Sequence, residues 1–564
     1  MTLQQTFDFG RVSPPPPSRR NLVIEAGAGT GKTTAIVAEV LKLMIEGEDV
    51  APERIVLMTF TEKAAGEIAD RIRGALEELA VQLSVVGSQW SEHSRSTGAL
   101  GQPTIDNRQP LTWPSGSPNP LVTASADAVT KSAIDHHLAN IDSLRSQTIH
   151  SFCQSLLRSF PIEAELDPQF KIIEGFERSL LYSQLYDAWV DAETRVDPQP
   201  EIVREWELLF THVGYLFQIR EVVMSLVERR DLLNETDYDF GDFERDVLPK
   251  LEEAVIWICR DTATCKDASA TRVAAYLRAT PFKGGSLDRW IEYLEPIAAS
   301  MRNIDLRYCG PVKEPMVVLR SGDKGESIYD RLVSHRVSLA LLALTRRFLN
   351  FLDVEKRKLG VVDFDDLLLR TLAVLGDDAV LARARSQFDF IFVDEFQDTD
   401  RTQARIIDKL SRDASGAHVA GKTIVVGDPK QSIYGFRRAD PETYYRMTED
   451  LARGGAEQRI LDEQYRSDPP LLDAINVMFD RLFPEQPIHD PNVFRPAYHS
   501  LKARAKPRRE MDARVTIINA QHQEKSDRFF AEAEAIAEWI RSHRDASDPL
   551  DLQRFAILFR RLTK

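Results

Sequence analysis

The chain of 564 residues has no long run of uncharged apolar residues. A membrane span needs about 18 or more such residues, so none is predicted. The opening stretch MTLQQTFDFGRV lacks the basic-then-apolar order of a secretion signal. Cysteines are few, and Cys153, Cys259, Cys265 and Cys309 stand at spacings that match neither a zinc site nor a disulfide framework. These absences predict a cytoplasmic protein with buried free thiols.

Positive charge is outnumbered by negative charge, because the chain has 87 Asp and Glu against 72 Lys and Arg and a net charge of −15. A surface coated with basic residues is therefore excluded. Nucleic-acid binding is not excluded, since one groove can carry Arg, Lys and aromatic residues while the outer surface stays acidic. The length itself predicts several domains, each able to bury a core.

A glycine-rich segment stands between the apolar run NLVIE and the amphipathic run TAIVAEVLKLMI, where residues 26–33 read AGAGTGKT. Its three glycines predict a turn whose backbone N–H groups wrap phosphates, with Lys32 on the outer phosphates and the Thr33 hydroxyl on Mg²⁺. The pattern departs from G-x-x-x-x-G-K-[ST] because its first position is Ala26. The predicted nucleotide-binding residues are Ala26, Gly27, Ala28, Gly29, Thr30, Gly31, Lys32, Thr33 and Thr34.

Apolar runs that resemble buried strands alternate with helical periodicity, which predicts an α/β fold with a parallel sheet. From about 161 to 359 the pattern is mainly helical, and a stretch rich in Ser, Gly, Pro and Thr within 81–140 predicts a flexible surface insertion. A second α/β stretch follows near Arg459. The predicted sheet strands lie at 21–25, 54–60, 388–394 and 422–428, and later strands at 514–520 and 554–561.

The strand at 388–394 delivers the acidic sequence DEFQDTD at its carboxyl end, where ligands of open α/β sheets bind. Asp394 can hold Mg²⁺ directly or through water, and Glu395 is placed to activate the water that attacks a γ-phosphate. The alternative is a solvated acidic turn. The phosphate loop in the same chain favours the catalytic interpretation.

The strand at 422–428 leads into GDPKQSIYGFRRAD. Gln431 offers an amide that can contact a γ-phosphate. Tyr434 and Phe436 stand beside Arg437 and Arg438, a combination suited to stacking single-stranded bases and gripping phosphates. Aromatic clusters are more often core, but a position directly after a strand of the nucleotide domain favours the binding interpretation.

Together these segments resemble superfamily 1 helicases of the UvrD/Rep/RecB type, and among them the RecB/AddA-like members, the ATP-dependent helicase/exonuclease subunits. The matching segments follow one another in the family's order from near the first residue to the last. They are AGAGTGKT (motif I), TFTEKAAGEIADRIR at 59–73 (Ia), TIHSFC at 148–153 (Ib), VDFDDLL at 362–368, DEFQDTD (II), VGDPKQSIYGFRRAD (III), LDEQYRS at 461–467 (IV) and AILFRR at 556–561.

The resemblance implies roles for the matching residues. Lys32 would be catalytic as well as phosphate-binding, Glu395 would be the base, and Gln431 would sense the γ-phosphate and couple it to DNA. In LDEQYRS, Tyr465 would stack on adenine and Arg466 would reach the γ-phosphate from a second lobe. Taken singly, a tyrosine such as Tyr465 could equally be a packing residue. The metal ligands would be Thr33 and Asp394, and the residues on the DNA track would be Thr59, Phe60, Thr61, His150, Tyr434, Phe436 and Arg437.

The implied function is an ATP-dependent 3′ to 5′ DNA helicase or translocase, the motor of a helicase–nuclease used in double-strand-break repair. Its cofactors would be ATP and Mg²⁺, and its partners single-stranded DNA, tailed duplexes and a helicase–nuclease subunit. Outside this ordered set of motifs, Phe60 could be core and His150 a capping or buried histidine. The implied domains are a RecA-like ATP-binding lobe (1–160 and 360–455), a helical insertion (161–359) and an incomplete second RecA-like lobe (456–564).

Three departures from the family pattern qualify this expectation. The upstream glutamine that reads adenine has only weak candidates, Gln4 and Gln5, and Gln464 replaces an Asn. After Lys564 there is no counterpart of motifs V and VI, which predicts a portion of a longer motor with slow turnover. The alternative function is an ATP-binding but non-catalytic protein that binds DNA or a partner and needs a separate C-terminal half.

Overall fold

The computed structural model divides into two compact units. Unit 1 comprises Met1–Ser146, Phe390–Asp400 and His418–Lys564, and unit 2 comprises Gln147–Asp389 and Arg401–Ala417. The residues that the structure describes are 19–45, 49–97, 131–195, 199–233, 241–260, 265–282, 284–320, 326–490, 493–504, 516–518, 528–544 and 551–558.

A six-stranded sheet forms the centre of unit 1, in the order β3-β2-β4-β5-β1-β6. The pairings β2–β4, β4–β5, β5–β1 and β1–β6 are all parallel. The four strands predicted from apolar runs are confirmed within a residue or two at their ends, and so is the α/β class with a parallel sheet. The strands are β1 (Leu22–Ala26), β2 (Ile55–Thr59), β3 (Arg145–Thr148), β4 (Phe390–Val393), β5 (Thr423–Gly427) and β6 (Glu457–Leu461).

The core of unit 1 forms because its inner strands are apolar on both faces and its helices carry an apolar stripe. In the helix Lys32–Ile45, Ile36, Val40 and Met44 recur at the helical period and are buried in the same core as Leu57 of β2. The helices of unit 1 are Lys32–Ile45, Glu62–Thr97, Lys131–Asn140, Pro441–Arg453, Pro469–Leu482 and Arg528–His543.

Unit 2 is mainly helical, as predicted for 161–359, and its one described strand pair joins Lys171–Ile172 to Val361–Val362. The long helix Ile328–Leu359 contributes to two buried clusters, one around Trp189 and Phe348 and one around Trp290. Its helices are Ile149–Ser159, Gly175–Arg195, Pro200–His212, Leu216–Val227, Arg230–Leu233, Gly241–Arg260, Ala268–Ala279, Leu287–Leu294, Ala298–Arg302, Lys313–Arg320, Ile328–Leu359, Phe364–Val374, Asp378–Arg385 and Arg401–Ser411.

The strands predicted at 514–520 and 554–561 are wrong for the residues that the structure describes. Residues 516–518 and 555–558 have no regular secondary structure, and Asp551–Arg554 forms a 3₁₀ turn. A strand needs a neighbour to satisfy its backbone groups, and no described strand pairs with these segments. The short strands of this region are Glu463–Gln464 paired with Lys502–Ala503, and Ile488–Asp490 paired with Val493–Arg495.

Three further predictions concern the 81–140 insertion, the cysteines and membrane-spanning helices. The two described ends of the 81–140 insertion are helical, within Glu62–Thr97 and Lys131–Asn140, and its middle lies outside the described residues, as do Gln4 and Gln5. The four cysteines are free, as predicted; Cys153 and Cys309 are buried, whereas Cys259 and Cys265 are only partly buried, so the predicted burial is wrong for these two. None of the described helices is long and apolar enough to cross a membrane.

Candidate nucleotide and nucleic-acid site

The residues predicted to bind ligands follow four neighbouring strands at the same end of the sheet. β1 ends at Ala26 and leads into the glycine-rich loop, β4 is followed by Asp394, β5 by Asp428 and β2 by Phe60. Strands β2, β4, β5 and β1 pair with one another in parallel. The carboxyl ends of these strands therefore meet at one edge of the sheet, where ligands of α/β sheets bind. Unit 1 therefore brings the predicted phosphate loop, acidic pair and aromatic segment to a common edge.

The glycine-rich loop is built as a phosphate-binding turn. Gly29 and Gly31 have φ values of 75° and 91°, which side chains disfavour. The Thr30 hydroxyl donates to the Gly27 carbonyl oxygen at 2.8 Å and closes the turn. The helix Lys32–Ile45 begins directly after it, so its N-terminal N–H groups and dipole favour an anion.

Lys32 and Glu395, the predicted phosphate ligand and predicted base, form an ion pair. The Lys32 Nζ lies 2.7 Å from Glu395 Oε2, and the same oxygen accepts a hydrogen bond from Gln397 Nε2 at 2.6 Å. Glu395 has a left-handed backbone, with φ of 50°. Such strain in a residue other than glycine is typical of functional sites, and here it aims the carboxylate at the phosphate loop.

Asp394 is the more buried of the two acids. Its backbone N–H donates to the Met58 carbonyl oxygen at 2.9 Å, and its carboxylate accepts from the Glu395 N–H at 2.9 Å. Burial first, and then the neighbouring Glu395 charge, raise the pKa of Asp394 to about 6, while Lys32 opposes this shift. A carboxylate and the Thr33 hydroxyl are oxygen donors that suit Mg²⁺, and a cation would hold Asp394 ionised.

The segment after β5 is fixed by Asp428. This buried carboxylate accepts from the side chain of Gln431 at 2.7 Å and pairs with Lys430 Nζ at 2.8 Å. Lys430 Nζ also lies 2.6 Å from Glu25 Oε1. Gln431 lines a cavity of about 190 Å³ together with Gly27 and other residues, so the predicted γ-phosphate sensor and the phosphate loop face the same space.

The aromatic residues form a connected platform. The ring centroids of Phe60 and Tyr434 are 4.9 Å apart, and those of Tyr434 and Phe436 are 5.8 Å apart. The Arg437 guanidinium carbon lies between 5.5 and 5.8 Å from all three rings. Because Phe436 is 79% exposed, the platform presents an aromatic face to solvent rather than a buried core.

Thr59 and Thr61 are engaged in local structure. The buried Thr59 hydroxyl donates to the Thr61 carbonyl oxygen at 2.9 Å. The Thr61 hydroxyl accepts from the Ala64 N–H at 3.1 Å and so caps the helix Glu62–Thr97. Both residues hold the turn after β2 that carries Phe60, and their contact with DNA stays a prediction.

The segment LDEQYRS contacts the phosphate loop. The Tyr465 N–H donates to the Gly29 carbonyl oxygen at 2.9 Å, and a Cβ on Gly29 would lie only 2.8 Å from Arg466 Cβ. The turn is shaped by Gln464, whose Oε1 accepts from the N–H groups of Arg466 and Ser467 at 3.0 and 2.7 Å. The side chains of Tyr465 and Arg466 are exposed beside the loop, where a nucleotide could meet them.

His150 lies in unit 2, where its ring contacts Phe364 edge-on at 5.2 Å between centroids. Burial lowers the pKa of His150, against the opposing charge of Asp365. Phe364 is 41% exposed. Its contact with His150 is not predicted from the sequence, although Phe364 lies in VDFDDLL, one of the segments that carry the family resemblance. Gln397 and Asp428 were likewise missed, because their roles depend on contacts rather than on residue type.

The family model described as "UvrD/REP helicase N-terminal domain" matches residues 12–452, well over half of the chain. The chain therefore belongs to the UvrD/REP helicase family, and the resemblance stated from its motifs is confirmed.

Its relatives include proteins named as the A subunit of an ATP-dependent helicase/nuclease. The one from Syntrophomonas wolfei subsp. wolfei is 24% identical over 519 residues, covering 83% of this chain and 37% of the relative. Those from Bacillus cytotoxicus and Bacillus cereus (strain G9842) are each 26% identical over 526 residues, covering 83% of this chain and 38% of the relative. The chain thus spans less than two fifths of the length of these relatives.

Proposed function

We propose that the chain is the motor portion of an ATP-dependent DNA helicase, which binds Mg-ATP at residues 26–34 and a single strand at the aromatic platform. The observation that carries this proposal is the common sheet edge, at which adjacent strands present a phosphate loop, an acidic pair and an aromatic platform whose Phe436 ring is exposed. In this proposal residues 1–160 and 360–455 form a RecA-like lobe, 161–359 an insertion and 456–564 part of a second lobe.

The reaction proposed is hydrolysis of the phosphoanhydride bond between the β- and γ-phosphates of ATP. Mg²⁺ held by Thr33 and Asp394 would neutralise charge on the phosphate oxygens. The backbone N–H groups of the loop and Lys32 bind and orient the phosphates, and Glu395 accepts a proton from the attacking water. Arg466 supplies positive charge against the transferring group.

Lys32 Nζ and Glu395 Oε2 form an ion pair at 2.7 Å. A phosphate group competes with the Glu395 carboxylate for Lys32, because both are anions that the ammonium can pair with. Nucleotide binding therefore frees Glu395 Oε2 from Lys32 and makes the carboxylate available as a base.

The DNA part of the proposal rests on Tyr434, Phe436 and Arg437. Stacking on aromatic rings tolerates any base, which suits a motor that moves along a strand without reading it. Movement from 3′ to 5′, a role in double-strand-break repair and a partner protein belong to the proposal too. They are supported by membership of the UvrD/REP family and by the relatives' name, which makes them part of a helicase/nuclease.

The first test of the proposal compares Lys32→Met with Glu395→Gln in titrations with a fluorescent ATP analogue and Mg²⁺. Lys32→Met removes a charge-assisted contact worth about 1.5–3 kcal/mol, so binding should weaken about 10- to 150-fold. Glu395→Gln should bind as tightly as wild type or more tightly, because it no longer competes for Lys32, while any hydrolysis slows. An equal loss of binding in both variants would contradict the assigned roles.

A further inference from the structure

Two of the free cysteines lie beside one another in unit 2. The Cys265 thiol donates to the Tyr308 carbonyl oxygen at 3.4 Å, and the Cys309 thiol donates to the Asp305 carbonyl oxygen at 3.4 Å. The Lys266 N–H donates to the same Tyr308 oxygen at 3.1 Å, which holds the segment of Cys265 against the turn that leads into Cys309. A side-chain hydrogen bond also joins Cys265 to Cys309. The two sulfur atoms are therefore neighbours, although the residues are far apart in the chain.

Both cysteines belong to the apolar cluster around Trp290, which fixes their separation. Cys309 is fully buried in this cluster, and Cys265 packs against it while it stays partly exposed. The Thr271 hydroxyl donates to the Cys265 carbonyl oxygen at 3.1 Å, so the backbone of Cys265 is held where the helix Ala268–Ala279 begins. Thiol groups are weak hydrogen-bond donors, so a pair that is already in contact can give up these bonds and rotate its side chains to form a disulfide.

The two thiols differ in their reactivity toward solvent. Burial above all, and then the adjacent Cys265 side chain, raise the pKa of Cys309 to about 12, and the charges of Asp267 and Asp305 act in the same direction. The thiolate rather than the thiol is the nucleophile, so Cys309 does not react with a dissolved oxidant by itself. Cys265 is the partly exposed member of the pair. An oxidant therefore enters at Cys265, and Cys309 is the partner that completes the bond.

We propose that Cys265 and Cys309 form a redox modification site, at which a peroxide converts the two thiols into a disulfide that staples the cluster around Trp290. Hydrogen peroxide oxidises the Cys265 sulfur to a sulfenic acid and releases one water. The Cys309 sulfur then displaces the hydroxyl group, which leaves with the Cys309 proton as a second water. Two thiols and one peroxide thus give one disulfide and two waters, and a dithiol reductant reverses the change. The reaction needs neither nucleotide nor nucleic acid, so it is independent of the proposed function.

The disulfide acts on stability through the unfolded chain. It joins the two ends of a segment that contains the helices Ala268–Ala279, Leu287–Leu294 and Ala298–Arg302. A cross-link of this kind removes conformational freedom from the unfolded state, and it removes more when the closed loop is longer. The oxidised protein should therefore unfold at a temperature about 5–10 °C above that of the reduced protein.

The test treats the folded chain with hydrogen peroxide, alkylates the remaining thiols under denaturing conditions and maps the unreduced peptides by mass spectrometry. The number of free thiols should fall from four to two, and the cross-linked peptide should join Cys265 to Cys309. Dithiothreitol should restore all four thiols. Thermal unfolding followed by circular dichroism, before and after oxidation, measures the stabilisation.

Single variants assign the two steps of the reaction. Cys309→Ser should leave Cys265 as a sulfenic acid that dimedone traps, whereas Cys265→Ser should leave Cys309 as an unreacted thiol. Cys309→Ala replaces Cys309→Ser if circular dichroism shows that a hydroxyl in the core unfolds the protein. Cys259→Ser is the matched control, because this partly buried thiol also donates to a backbone oxygen, that of Leu277 at 3.4 Å. It should keep both the disulfide and the rise in unfolding temperature.

Several outcomes would overturn the inference. A disulfide that forms only after unfolding in urea, one that pairs other cysteines or two copies of the chain, or oxidation of Cys265 without a bond to Cys309 overturns the modification site. A disulfide at the expected pair that leaves the unfolding temperature unchanged overturns its action as a staple. None of these results bears on the proposed function, whose own test measures nucleotide binding.

Discussion

Two groups of ion-paired side chains in this protein have similar chemistry but differ in their exposure to solvent. In unit 1 the side chains of Lys32 and Glu395 are 12% and 34% exposed. In unit 2 the side chains of Arg230 and Asp363, which pair with one another, are 5% and 2% exposed. The first pair can exchange its partner for a ligand from solvent, and the second cannot. Exposure, more than residue type, therefore distinguishes a charge pair available for ligand binding from one that serves the fold.

The buried charged group of unit 2 consists of Arg230, Asp363, Asp366 and Lys356, and its ion pairs join side chains from several helices. Arg230 Nη2 also lies 3.0 Å from Asp366 Oδ1, and Lys356 Nζ lies 2.5 Å from Asp366 Oδ2. Burial alone would raise the pKa of Asp363, but Arg230 and Lys356 hold it well below its ordinary value. Burial lowers the pKa of Lys356, an effect that the two acids oppose. Asp363 is thus kept ionised by its cationic partners rather than by water.

This buried group fixes the segment that contains Phe364. Asp363 and Asp366 also form a capping box, in which each side chain accepts from the other's backbone N–H at 2.9 Å. The start of the helix Phe364–Val374 is therefore held both by its own cap and by cations from distant helices. Phe364 and its contact with His150 gain a rigid support, whereas the acidic pair of unit 1 keeps freedom to change partner.

The largest effect is expected for Arg230→Met. Asp363 and Asp366 lose a buried cationic partner and keep only Arg178 and Lys356. Removing one partner from such a buried charged group costs about 3–5 kcal/mol of unfolding free energy. Urea denaturation followed by circular dichroism measures the loss. Arg204→Met, a matched change at an exposed position of the helix Pro200–His212, should cost no more than about 0.5 kcal/mol. Equal stability of the two variants would remove the distinction between the two groups of charges.

A smaller effect, on single-strand binding rather than on stability, is expected for Phe436→Ala in unit 1. Loss of one base stack should weaken single-strand binding by about 1–3 kcal/mol, with little dependence on base sequence. Because the side chain is 79% exposed, unfolding free energy should hardly change. Anisotropy with labelled oligonucleotides of different sequence checks this. Phe529→Ala, at a phenylalanine that is 77% exposed, is the control. Unchanged binding in Phe436→Ala would exclude this ring from the binding surface.

The sequence predicted the features of this molecule that depend on local pattern. Four strands followed from apolar runs because a strand buried on both faces has no polar positions. The last two predicted strands failed because an apolar run forms a strand only when a neighbour pairs with it, and Ile517 and Leu558 are instead 89% and 96% exposed. The pairing of β6 with β1 is a contact of the same non-local kind, which no pattern within 457–461 indicates.

The same division between features set by local sequence pattern and features set by distant contacts holds for the functional site. Lys32 and Glu395 could be predicted because their chemistry and their position after a strand point to a role. Gln397 and Arg230 could not, since an amide and a guanidinium have many uses and only their partners identify them. Arg230 and Asp363 are 133 residues apart in the chain, so their pairing is set by the packing of unit 2 rather than by any motif.

The smallest effect is expected for the stability of Lys32→Met, the same variant whose nucleotide binding should weaken. Its ion pair with Glu395 is partly exposed, and such pairs contribute about 0–1 kcal/mol because water and side-chain entropy offset the attraction. Glu395 also keeps its hydrogen bond from Gln397 when Lys32 is gone, so no unpaired charge is buried. Urea denaturation without nucleotide should therefore place Lys32→Met within about 1 kcal/mol of wild type, in contrast to Arg230→Met. A destabilisation as large as that of Arg230→Met would mean that the acidic pair is held as rigidly as the buried group, and that Lys32 serves the fold before it serves a ligand.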